Sequence, residues 1–341
     1  MTVRDPWPQW ETRRRSERRH HLLRTLLVLG LATVLALAGL AAGAVWWGTN
    51  HYGDQVTRIP DAFPTGQRPP RPADHDGGTT FLLAGVDSRS KQPTTGSDAT
   101  ARLWTYGAQR SDTLMLVHLS GDERAVHLMS IPRDSWVPIP GHGSAKINAA
   151  FSWGGPPLMI QTVEQLVGTR VDHFGVIDWQ GFRALTDAVG GVSVTVPADS
   201  YDPVRQRHFT AGTQVMRGEE ALAYVGQRKG LPGGELDRIK RQQQFLYSLV
   251  DEIRSEVRLT DPLASARTLD AITRTVSVDD RMSNGDLRNL VFGLRDLEAS
   301  GARFTTAPIV RSQMIRGQYA LILDRSELRE RWHAVETGRG G

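Results

Sequence analysis

The sequence predicts an α/β domain, a central β-sheet flanked by helices, preceded by one N-terminal transmembrane helix. Two observations predict this architecture. After residue 79, apolar runs of strand length alternate with stretches of helical periodicity, a pattern that layers a sheet between helices. Before it, residues 25–47 run without a single charge and are rich in Leu, Ala, Val and Gly. As a helix that stretch spans roughly 34 Å, enough to cross a hydrocarbon core of about 30 Å.

The elements follow in order. Residues 1–24 form an Arg-rich tail with seven arginines against three acids, so the positive-inside rule sets the N-terminus in the cytoplasm and the remainder outside the cell. Trp46 and Trp47 stand at the far end of the apolar span, where indoles favour the membrane interface. A cleaved signal peptide is the competing reading, but its apolar region would normally run about 7–15 residues. Residues 48–78, with Pro60, Pro64, Pro69, Pro70 and Pro72, read as a semi-rigid spacer. Residues 79–325 are expected to form one domain and 326–341 a C-terminal tail. Strands are expected at 79–86, 113–119, 125–131, 174–177, 192–196 and 304–309. Helices are expected at 157–167, 179–189, 219–227 and 237–254, then around 261–273 and 285–298.

Composition narrows the function. At 341 residues and 39% hydrophobic content, the chain can bury a sizeable core and is not disordered throughout. It has no cysteine, which removes thiol nucleophiles, thiolate metal sites and disulfides. The net charge of +4 resides in the N-terminal tail; the rest of the chain balances at 34 basic and 34 acidic residues. A broad polyanion surface is therefore not expected, and nucleic acid is excluded as a partner. The ten histidines show no metal-ligand spacing, and no Walker loop, GxSxG, HExxH or GxGxxG occurs.

The polar residues that remain cluster beyond apolar strands, where open α/β sheets place their sites. Asp87 follows the first strand in GVDSR, Asp112 precedes the second in RSDT, and Arg133 follows the third in SIPRD. Two carboxylates at adjacent strand ends can share a hard divalent cation such as Mg²⁺; taken singly, each reads equally as a turn or cap residue. Arg238, Arg241, Gln242 and Phe245 recur at helical spacing, roughly opposite the apolar stripe of their helix. That face, near a helix N-terminus and with Arg228 and Lys229 just before it, suits an anion, or else is a solvated charged face.

In one order the chain carries GVDSR, RSDT, SIPRD, KINAAF, DAVGGVSVTVP, FTAGTQVMRGEEALAYV and ELDRIKRQQQF. Together these resemble the LytR-CpsA-Psr family of cell-wall glycopolymer transferases, strongly over about residues 79–258. The resemblance implies a mixed central sheet in α-β-α layers. It implies transfer of a glycosyl phosphate from a polyprenyl-pyrophosphate carrier to peptidoglycan, at the outer face of the cytoplasmic membrane, with Mg²⁺ or Mn²⁺ as cofactor. Asp87 and Asp112 look like the metal-site aspartates and, with Arg133, the catalytic set. Arg133, Arg228, Arg238 and Gln242 look like the pyrophosphate-binding residues, with Lys146 a further contact and Arg241 beside them on the helix. Two alternatives share this chemistry: a pyrophosphohydrolase of the lipid-linked polymer, and a non-catalytic lipid-pyrophosphate-binding or regulatory protein.

Two positions depart from the family pattern. Glu235 stands where the family often has Asp, and Gly226 stands at the first arginine of the family's Arg-x-Arg. Gly226→Arg is accordingly expected to restore a cation without backbone strain, since the position falls in a helix.

Overall fold

The computed structural model describes residues 51, 53–88, 90–122, 125–256, 262–287 and 302–340. The basic tail, the apolar span at 25–47 and most of the helix expected at 285–298 lie outside them. Among the described residues, no helix is long and apolar enough to cross a membrane.

Thr57–Ile59 (β1), Thr79–Asp87 (β2), Arg110–Leu119 (β3), Val126–Ser130 (β4), His173–Asp178 (β7), Val276–Asp279 (β12) and Ala302–Thr306 (β13) form one seven-stranded sheet. Its order is β1-β12-β7-β2-β3-β4-β13. The sheet is mixed: β2 runs antiparallel to β3 but parallel to β7, and β13 runs parallel to β4. Alternation along the central strands separates two cores, as the two-residue pleat requires. Leu82, Ala84, Val86, Leu114 and Leu116 face one way and pack with Asn148–Val167 (α1). Phe81, Met115 and Val117 face the other way and pack with Leu128, Val278 and Met282.

The helix expected at 157–167 begins nine residues earlier. Gly154 and Gly155 leave helical geometry inside it, Gly155 at φ 61°, so two helical pieces join across a kink that Pro156 and Pro157 reinforce. Gly168, at φ 85°, closes it with a left-handed cap.

Trp179–Ala188 (α2) follows β7, with Asp178 capping it by accepting from Gly181 N at 2.7 Å. A third core forms where α2, Gly218–Gly226 (α3) and Glu235–Glu256 (α4) enclose the ribbon of Val192–Val196 (β8) and Gly212–Met216 (β11). Pro262–Thr275 (α5) leads into β12. Three further short ribbons lie among the described residues: Trp136–Ile139 (β5) with Gly143–Lys146 (β6), Ser200–Asp202 (β9) with Arg207–Phe209 (β10), and Ile309–Ile315 (β14) with Gln318–Leu323 (β15).

The domain is wider than 79–325 at both ends. Within the expected spacer, β1 extends the main sheet, Ala62 and Phe63 are buried, and Arg68 is paired with the buried Glu164. Prolines there direct a chain that is packed along the domain rather than holding it off. The expected C-terminal tail is a helix, Arg325–Glu336 (α6), capped by Asp324 through Glu327 N. Its Leu328 and Trp332 are fully buried against the α1 side of the sheet. Charge dominates this helix, so only its narrow apolar stripe reports burial.

Candidate anion-binding site

A strand irregularity builds the site. Gly85 pairs with Thr113 but Val86 pairs with Ser111, so Asp112 is the extra residue of a β-bulge. A bulge re-aims its side chain, and Asp112 receives Arg133 Nη1 at 2.6 Å across from the end of β4. Asp87 ends β2 opposite Arg110, two strand positions from the bulge.

Around this pair the arginines are set among carboxylates. Arg238, from the first turn of α4, donates through Nη2 to Glu235 and to the carbonyl of Asp112 at 3.2 Å. Glu235 Oε1 also lies 3.8 Å from Arg133 Nε. Asp134 forms the second hub: Lys146 Nζ donates to its Oδ1 at 2.8 Å, and Arg228 Nη1 stands 3.9 Å from its Oδ2. Arg133, Lys146, Arg228 and Arg238 are thus interleaved with Asp112, Asp134 and Glu235.

The electrostatics follow from burial. Desolvation opposes the charge of Arg133, but Asp112, Glu235 and Asp134 outweigh it and raise its pKa. Desolvation prevails at Arg238, aided by the like charge of Arg133, and lowers its pKa against the pull of Glu235 and Asp112. Arg133 Nε, Arg238 Nε and Glu235 Oε2 are buried without a hydrogen-bond partner among the described residues. Native interiors rarely leave such groups unmatched, and two guanidinium donors left open around one centre suit an anion.

Not every expected residue joins this centre. Arg241 turns into the third core, where it donates to Gln227 Oε1 at 2.6 Å and Ser200 Oγ at 2.8 Å. It lies over the rings of Tyr224 and Phe209, and burial lowers its pKa. Its donors are taken up by the fold, and the alternative of a solvated charged face does not hold: Arg238, Arg241 and Phe245 are all 5% exposed or less. Sequence spacing located the stripe correctly but not the β9–β10 and β8–β11 ribbons that cover it. Gln242 donates to the carbonyl of Val225 at 3.3 Å, bracing the end of α3. Asp134 and Glu235 were not expected as site residues. Their signal was available: Asp134 adjoins Arg133 in SIPRD, and Glu235 stands one helical turn before Arg238 in ELDR.

Gly226 also differs from expectation. The guanidinium of Arg205 fills the space above it, with Nη2 2.8 Å from where a Cβ would stand. Any side chain there must displace that group, so the position is not open.

For a divalent cation, the described residues contain no group of three or more His, Asp or Glu ligands. Asp112 and Asp87 come from neighbouring strands, and Asp112 already accepts from Arg133, so a divalent ion here would take at most these two carboxylates and would complete its shell with other oxygens.

This fold, a mixed sheet between helices, matches several solved structures. The crystal structure of TagV from Bacillus subtilis superposes with TM-score 0.62 at 24% identity, covering 78% of this chain and 98% of that one. A TagT structure described as bound to LIIa-WTA gives TM-score 0.61 at 24% identity, covering 81% and 98%. Residues 54–337 match the LytR_cpsA_psr family. The chain belongs to that family. The cell wall biosynthesis protein LcpA of Corynebacterium glutamicum is 32% identical over 264 residues, 69% of this chain and 50% of its own. The polyisoprenyl-teichoic acid–peptidoglycan teichoic acid transferase TagT of Bacillus subtilis is 32% identical over 210 residues, 60% of this chain and 59% of its own. The chain spans about half the length of the curated relatives it matches first.

Proposed function

We propose that this protein transfers a glycopolymer, as its glycosyl phosphate, from a polyprenyl-pyrophosphate carrier to peptidoglycan. The observation that carries the reading is the pair of buried guanidinium nitrogens of Arg133 and Arg238, which lack a hydrogen-bond partner among the described residues, at one centre with Asp112. Membership of a family whose named relatives include teichoic acid–peptidoglycan transferases supports it.

In this reading an acceptor hydroxyl oxygen of peptidoglycan attacks the glycosyl-linked phosphorus. The bond from that phosphorus to the bridging oxygen breaks, and polyprenyl phosphate leaves with the electron pair. The hydroxyl proton passes to a carboxylate oxygen of Asp87 or Asp112. Charge compensation is the main demand of such a transfer, and Arg133, Arg238, Arg228 and Lys146 supply fixed donors for it. Mg²⁺ or Mn²⁺ held by Asp87 and Asp112 would neutralise phosphate oxygens when bound. The domain works outside the cytoplasmic membrane, tethered by residues 25–47, because its carrier is a membrane lipid and its acceptor is the wall.

Full-length protein in detergent, given lipid-linked donor, Mg²⁺ and peptidoglycan, should yield a phosphodiester between polymer and wall glycan by mass spectrometry. Free glycosyl phosphate as the only product would refute transfer in favour of hydrolysis. A C-terminal reporter active only in the cytoplasm would refute the location.

A further inference from the structure

The β9–β10 ribbon folds over the chain segment that follows α3. Ser200 Oγ lies 3.3 Å from Gln227 Oε1, and at Gly230 a Cβ would meet the carbonyl of Tyr201 at 2.0 Å. The ribbon therefore touches this segment on either side of Arg228, through side chains at Gln227 and through backbone at Gly230.

The turn of that ribbon carries Arg205. Buried Asp202 shapes the turn, accepting from Val204 N at 2.9 Å and from Arg205 N at 3.4 Å. Its other oxygen takes Arg205 Nη1 at 3.0 Å. A guanidinium has five donors, and this one is held from one side only. Its Nη2 has no acceptor among the described residues and points over Gly226. Only the missing side chain at 226 lets the guanidinium lie there. Arg228, two residues on, is 45% exposed and 3.9 Å from Asp134, so both arginines present open donors beside one short stretch of chain.

We propose that Arg205 is a substrate-binding residue, donating from across the ribbon to a phosphate oxygen of the lipid pyrophosphate that Arg228 also contacts. The proposal rests on the function proposed above. An arginine pair from two elements brackets the anion, and Gly226 is the gap that admits one of them. Asp202 sets the guanidinium direction, so less is lost in ordering it on binding.

The test is titration of geranylgeranyl pyrophosphate into full-length protein in detergent, for wild type and four variants. Arg228→Ala should weaken binding, and Arg205→Ala should weaken it by roughly tenfold or more, the scale of a charge-assisted hydrogen bond. Gly226→Ala should weaken it by a smaller factor, because the added Cβ pushes the guanidinium aside. Arg205→Ala combined with Gly226→Arg should regain most of the loss, since the new side chain enters the vacated space. Unchanged affinity in Arg205→Ala, or a loss that the double variant leaves uncorrected, overturns the role of Arg205 alone when Arg228→Ala still weakens binding. Wild-type protein that does not bind the probe overturns the proposed function as well.

Discussion

Arg133 Nη1 donates to Asp112 Oδ1 over 2.6 Å, joining the end of one strand to a bulge in its neighbour. The bond fixes a carboxylate and a guanidinium side by side. A divalent ion and a phosphate could then be held by adjacent groups without either rearranging, which is what electrostatic preorganisation requires.

That arrangement makes the metal testable apart from turnover. Mn²⁺ binding followed by electron paramagnetic resonance should be detectable in the wild type and weakened at least tenfold in Asp87→Ala and in Asp112→Ala. Transfer should stop in chelator in parallel. Full transfer by the double variant in chelator would remove the metal from the reaction.

Asp134 is only 4% exposed yet faces three cations. Asp134→Asn keeps its shape and removes its charge. Lipid-pyrophosphate binding should tighten, because the local net charge rises by one. The single-turnover rate should fall by about tenfold or more as Lys146 and Arg228 lose their anchor. Affinity and rate declining in proportion would show Asp134 to be merely a structural support.

Burial pushes the Glu336 carboxyl up to about 7, against the side chains of Thr169, Thr80 and Trp332, which draw it down. A folded pKa above the unfolded 4.5 stabilises the protein fully below about 4.5, and the contribution fades as pH rises through 7. The whole effect is on the order of 3 kcal/mol. His118 bonds the same Thr80, and burial, as the largest influence, lowers its pKa, so it withdraws stability in the opposite direction, as pH falls below 6.5. Melting curves from pH 5 to 8.5 should show Glu336→Gln gaining on the wild type as pH rises. Parallel curves for the two proteins would contradict the assignment.

Trp332 is fully buried, edge-on to His118 with ring centroids 6.3 Å apart. Trp332→Ala should cost about 3–5 kcal/mol, measured as a shift in urea midpoint. Ending the chain at residue 324 should leave the α1 side of the core uncovered and give no cooperative unfolding transition. A truncated chain that melts like the full protein would show that α6 is dispensable.

Local patterns in the chain were enough to set the α/β class and the places of β2, β3, β4, α2 and α4, and they singled out Asp112, Arg133 and Arg238, which the structure brings together. Alternation and helical periodicity are local signals, and polar residues at the ends of apolar strands stand out against them. The apolar span at 25–47 is equally plain in sequence. Tertiary structure decided which residues share a site. Arg238 and Arg241 are three residues apart on one helix, yet the first reaches the bulge at Asp112 while the second is enclosed by Tyr224, Gln227 and Ser200. Nothing local distinguishes them, because the partners come from segments up to 126 residues away. Arg205 over Gly226, and Trp332 beneath the sheet, are of the same kind. Side-chain type and spacing set what a residue can do, but its charge becomes useful or merely structural only when distant chain removes water from one side of it and leaves the other open.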